Sequence, residues 1–77
     1  MINTKFDAAA AEQIISIAAS AANNDSARLC LRDARSLYSQ GERYDYAAGR
    51  ALASLKYSVG VFSPLYDQAA VLFENAR

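Results

Sequence analysis

Apolar side chains recur every three or four residues along almost the whole chain. That is the repeat of one face of an α-helix, not the alternation of a strand. Four such stretches are separated by turn signals. In the first, Phe6, Ala10, Ile14, Ile17 and Ala21 form one stripe, and Ile15, Ala18 and Ala22 widen it. A stripe that broad predicts contact with more than one neighbouring helix. Glu12, Gln13, Ser16 and Ser20 mark its wet side. Residues 1–4 read as a short tail. Thr4 with Asp7 three positions on reads as a variant capping box, and the helix is expected to run to about Ala22.

The first break is Asn23-Asn24-Asp25-Ser26, residues that favour turns and caps. Asn24 or Asp25 can take the free amides of a second helix, whose apolar face is Ala27, Cys30, Leu31, Ala34, Leu37 and Tyr38. Gly41 follows its last periodic residue, where a positive φ can end the helix without a Cβ clash. Tyr44, Ala47, Ala48, Ala51, Leu52 and Leu55 then repeat the pattern. So short a turn predicts antiparallel neighbours. Residues 26–57 are therefore read as a helical hairpin, and the rest of the chain is organised around it.

Small residues crowd the second arm: Ala47, Ala48, Gly49, Ala51, Ala53 and Ser54. Gly49 costs roughly 1 kcal/mol against alanine inside a helix. Either another backbone approaches it closely, or it is a weak spot on a solvated face. The third helix is expected to end near Ser58. Val59–Phe62 either prolongs it or forms a short extended link. Ser63-Pro64 starts a fourth helix, with Leu65, Ala69, Leu72 and Ala76 on one side and Tyr66, Ala70 and Phe73 beside them. The expected fold is all-α: one domain over residues 1–77, as a small antiparallel four-helix bundle or a hairpin stack with a groove. Three long helices and one short one would also fit.

Segment 37–55, LYSQGERYDYAAGRALASL, resembles the middle of a tetratricopeptide repeat. Tyr38 and Gly41 match the end of its first helix, Tyr44 the tyrosine after the turn, and Ala47 or Ala48 with Ala51 the small residues of its second helix. The Trp of that pattern is absent, and Pro64 falls later than the closing proline. The resemblance implies a helical hairpin that binds peptide or protein and assigns no binding residue.

At 77 residues the chain buries only about 60% of its unfolded surface. So thin a core favours self-association. Cys30 is the single cysteine, which excludes an internal disulfide and reads as a small buried hydrophobe. There is no histidine and no acidic cluster with calcium-loop spacing, so neither metal nor cofactor is expected. A free thiol, no signal-peptide pattern and no run of about 20 apolar residues predict a cytoplasmic chain outside the membrane.

Formal net charge is zero, yet Arg28, Arg32 and Arg35 share one face of the second helix, with Arg43 expected near the end of their row. This is either a solvated face partly paired with Asp25, Asp33 and Glu42, or a surface for an anionic partner. A protein carboxylate patch suits a neutral chain better than nucleic acid does. Residues 28–56 carry six basic and three acidic groups, which keeps a nucleic-acid regulator as the alternative, without a specific helix-turn-helix motif.

Five tyrosines are the second feature: Tyr38, Tyr44, Tyr46, Tyr57 and Tyr66. Tyr46, Arg50, Ala53 and Tyr57 fall on a face rotated from the Tyr44–Leu55 stripe. They are read either as core rim or as a contact face for another chain, since Tyr and Arg are common interface anchors. Catalysis has no visible ingredients: no imidazole base, phosphate loop or dinucleotide fingerprint, and scattered carboxylates at Glu12, Asp33, Asp45 and Glu74. The expected function is a non-enzymatic interaction protein, an adaptor or inhibitor occupying a partner's surface and capable of forming a homodimer. In size and alanine content the chain resembles accessory proteins of phages and mobile elements.

Overall fold

A computed structural model describes residues 6–77. Among them are four α-helices, α1 (Ala8–Ala21), α2 (Asp25–Gln40), α3 (Tyr44–Ser58) and α4 (Pro64–Ala76), and no strand. The Thr4 cap lies outside the described residues, and Asp7 does not play the part expected of it. It is itself the N-cap of α1, with extended backbone and a carboxylate that accepts from the Ala9 N–H at 3.0 Å. A short acceptor just outside the first turn reaches a free amide more directly than one inside it.

The hairpin forms as its punctuation dictates. Asn24 caps α2 by accepting from the Ala27 N–H at 2.9 Å, while its Nδ2 donates to the Tyr57 carbonyl at 3.1 Å. One side chain thus starts α2 and ties it to the end of α3. At the other end Gly41 takes φ 78° and donates its N–H to the Tyr38 carbonyl at 3.1 Å. Tyr38 and Tyr44 meet edge to face across this turn, ring centroids 5.2 Å apart.

Residues 59–62 follow neither expected course. The Val59 and Gly60 amides both reach the Leu55 carbonyl, at 2.8 and 3.1 Å, and Gly60 takes φ 88°. The Ser63 N–H then bonds to the Gly60 carbonyl at 3.2 Å, so the segment is a tight turn. A left-handed glycine reverses the chain before α3 can continue, and the Ser63 hydroxyl caps α4 by accepting from Leu65 N–H at 3.2 Å.

The molecule is two helix layers thick, 15 Å through its thinnest axis. α2 packs along α3, and α1 lies across the hairpin, mainly on α3. α4 fills in against α1 and α3 without touching α2. The core is small in side chain as well as number: Ile14 and Leu55 are its largest fully buried apolar members, and Ala11, Ala18, Ala27, Ala34, Ala47, Ala48, Ala51 and Ala69 have no exposed surface. Alanines let helix axes approach toward the roughly 8 Å end of the usual range. Ser54 sits among them fully buried and donates to the Ala27 carbonyl at 2.7 Å, so its hydroxyl is satisfied.

Among the described residues, no atom beyond its chain neighbours and the adjoining helix backbone approaches within 4 Å of where a Cβ on Gly49 would stand, and its φ is not positive. No close intrachain approach explains this glycine. Gly49→Ala should therefore stabilise the chain by about 0.5–1 kcal/mol. Ser54→Val should cost about 1–3 kcal/mol by overpacking the seam and removing its bond. Urea unfolding followed by circular dichroism checks both. Tyr38 supplies a pH test. Partial burial first, then the Glu12 carboxylate and Tyr44, raise its pKa above the usual 10.0. The folded chain then holds the phenol proton more tightly than the unfolded one, so this contribution is intact below the usual 10.0 and is lost as pH rises from there through the raised folded value. Alkaline unfolding midpoints of Tyr38→Phe should show a shallower loss.

Candidate functional site

In α3, Tyr46, Gly49, Arg50, Ala53 and Tyr57 are spaced three or four apart and lie on one side of the helix. The buried Ala47, Ala51, Ser54 and Leu55 lie on the other. Tyr46 is 56% exposed and Tyr57 59%, which places both outside the core; Tyr38, Tyr44 and Tyr66 are half-buried. The neighbouring strip of α2 continues this surface. Its register comes from paired contacts along the hairpin: Ser54 with Ala27, Arg50 with Asp33, and Asn24 with the Tyr57 carbonyl. Leu29, 52% exposed, lies level with Ala53. Since α1 and α4 occupy the opposite side of α3, no helix among the described residues covers the face.

Two arginines organise its polar part. The Arg50 guanidinium reaches the Asp33 carboxylate at 3.5 Å and stands equally close to the Cys30 sulfur, whose side chain is buried. Arg43 lies over the Tyr46 ring, 3.7 Å from its centroid, and 3.6 Å from the Asp45 carboxylate. A cation held on a ring face fixes the tyrosine's orientation at an exposed site. Because Asp33 pairs with Arg50 and Asp45 with Arg43, the face is close to neutral.

Arg28, Arg32 and Arg35 sit elsewhere. Cys30 and Asp33 point toward α3, and the three arginines leave α2 from its opposite edge, all exposed. Arg28 bonds Asp25 at 3.1 Å, while Arg32 and Arg35 have no ion pair among the described residues. Arg43 does not extend this row, since the turn carries it onto Tyr46. The structure thus brings Arg43, Tyr46, Arg50 and Tyr57 onto one surface and leaves Arg28, Arg32 and Arg35 on another.

Two exposed residues carry no signal in the helical stripes. Leu29 breaks the apolar spacing of α2, standing among its polar positions, and that misplacement was readable. Phe62, 98% exposed with Val61 beside it at 44%, lies in the turn before α4, where no periodicity exists to place it. Elsewhere, a cleft of about 960 Å³ opens at the Gly41 end of the bundle, between Tyr44, Phe73 and Phe6 with Arg43 and Arg77 at its rim. Phe6 and Phe73 pack with centroids 5.1 Å apart. Its charges are mixed, with Asp7, Glu42 and Asp45 beside the arginines, so it selects no ligand sign. A shallower groove between α1 and α4 is lined by Ile17, Val71 and Leu72 with Gln13, Ser16 and Gln68. Among the described residues no three His, Cys, Asp or Glu side chains cluster to hold a metal, and no helix is long and apolar enough to cross a membrane.

No family model, curated protein or solved structure matches the chain. The tetratricopeptide resemblance therefore rests on residues 37–55 alone. The exposure of Tyr46 and Tyr57 has a direct consequence for stability. Tyr46→Ala and Tyr57→Ala should each change unfolding free energy by no more than about 0.5 kcal/mol. Thermal melts check this, and a large drop in both would assign the pair to the core.

Proposed function

We propose that this chain is a non-enzymatic protein–protein interaction module, an adaptor or inhibitor that works by occupying a surface of another protein chain. The observation that carries this reading is the uncovered α2–α3 face: Leu29, Tyr46 and Tyr57, each more than half exposed, around the Arg50–Asp33 pair. Exposed aromatic and arginine side chains grouped on rigid helices are what interface hot spots are made of. Apolar groups collected on one side of a chain this small also favour association over solvation.

A nucleic-acid-binding regulator using Arg28, Arg32 and Arg35 is the second reading. What favours it is that Arg32 and Arg35 are exposed and carry no ion pair among the described residues. Against it stands the zero net charge, because duplex binders draw most of their affinity from a basic excess.

Affinity purification from the native cell, with mass spectrometry, separates the two. The interaction reading predicts one co-purifying protein, lost with Tyr46→Ala and Tyr57→Ala and retained when Arg32 and Arg35 are replaced by Gln. Salt-dependent retention on a DNA column that disappears with Arg32→Gln and Arg35→Gln would replace it with the second reading.

A further inference from the structure

The exposed side chains of the interaction face follow a pattern along α3 and α2. Along α3 the exposed order is Tyr46, Gly49, Arg50, Ala53, Tyr57: an aromatic ring at each end, and Arg50 between two small residues. The midpoint between the two tyrosines falls at Ala51–Leu52. In the hairpin register, the level of α2 at that midpoint is Cys30, one residue from exposed Leu29. A two-fold axis crossing the face there, perpendicular to the helices, lays α3 antiparallel on α3 of a second copy. Tyr46 of each copy then meets Tyr57 of the other, Gly49 lies close to Ala53, and Leu29 meets its own symmetry mate.

Charge follows the same symmetry. Asp45 and Lys56 lie on the same flank of α3 on either side of that midpoint, Asp45 two residues farther from it than Lys56, so antiparallel pairing leaves Asp45 of one copy about 3 Å along the axis from Lys56 of the other, within reach of the lysine side chain, twice. Lys56 is exposed and has no ion pair within the described chain. Arg43 and Arg50 are paired with Asp45 and Asp33, so Lys56 is the one excess charge on the face and the like-charge repulsion that a second copy meets is small. Gly49 fits as well: its missing Cβ leaves a space that no packed neighbour among the described residues fills within 4 Å.

Resting on the interaction reading above, we propose that the occupant of this face is a second copy of the chain, docked antiparallel through α3. Side chains of this size and exposure, with Arg50, offer on the order of 500 Å² per copy, at the small end of specific interfaces. The dimer is therefore weak and concentration-dependent. An isologous contact of this kind closes after two copies and does not propagate.

Sedimentation equilibrium of the full chain from micromolar to millimolar concentration tests the proposal. The expected result is a monomer–dimer equilibrium that Tyr46→Ala or Gly49→Leu weakens at least about tenfold. Gly49→Ala should raise the melting temperature of dilute protein while also weakening association. Asp45→Lys and Lys56→Asp should each weaken the dimer, and the two together in one chain should restore it, which only the antiparallel register allows. Circular dichroism of each variant confirms that the fold is retained. A chain that stays monomeric at the highest concentration, or a dimer indifferent to Tyr46→Ala and Gly49→Leu, overturns the proposal. A monomer that still captures a different protein in a Tyr46-dependent way overturns only the second copy and leaves the interaction reading standing. Loss of that capture without loss of the dimer would do the reverse.

Discussion

The seam between α2 and α3 is the contact on which the remaining structure depends. Its buried side chains are mostly small, with one buried hydroxyl: Ala27, Cys30 and Ala34 on one helix, Ala47, Ala51 and Ser54 on the other. A seam this slim gains little from any one side chain, so it relies on close backbone approach and on the two devices at its ends. Gly41 in the left-handed region folds the helices back, and Asn24 clamps the open end by bonding to both. α1 and α4 add the larger apolar groups, Ile14, Ile15, Leu72 and Phe73, on one side of this pair. They have a surface to pack on because the hairpin is already flat.

That one-sidedness produces the candidate site. Among the described residues, four helices in two layers leave the outer side of the hairpin without a covering element, and α4 reaches α3 without reaching α2. The side chains left there are not those of an ordinary solvated face. Tyrosines stand at both ends of α3, leucine on α2, and the charges are paired locally at Arg50–Asp33 and Arg43–Asp45. Exposed ion pairs of this kind add little to stability. Their effect is to keep a mostly apolar surface neutral and its arginines in place. The arginine row at the far edge of α2 is the more usual kind of surface, and the fold keeps it apart from the tyrosines.

Much of this architecture was legible in the residues, for identifiable reasons. Gly41, Asn24 and Ser63-Pro64 act through local backbone chemistry, which a short window of sequence carries in full. The buried face of each helix follows from its period. What eluded the sequence depended on contacts between distant positions or on rivalry between near ones. The Thr4–Asp7 spacing read as a capping box with Asp7 inside the first turn, whereas Asp7 is itself the cap of α1. The course of Val59–Phe62 turned on whether Gly60 would take a positive φ, which a four-residue apolar run does not reveal. Gly49 read equally well as a close approach or an open face until its neighbours were placed. At the site, helical spacing alone put Tyr46, Arg50, Ala53 and Tyr57 together. The Arg50–Asp33 pair, the stacking of Arg43 on Tyr46 and the contribution of Leu29 all required the hairpin register.

Native-state hydrogen exchange tests the dependence on the α2–α3 seam most directly. If the seam holds the fold together, amides of Cys30–Ala34 and Ala48–Leu55 exchange only through global unfolding, with one shared free energy, while α4 opens first and alone. Seam amides that exchange through local opening while α1 and α4 remain protected would contradict it, and the exposed face would then lack the rigid support from which it has been derived.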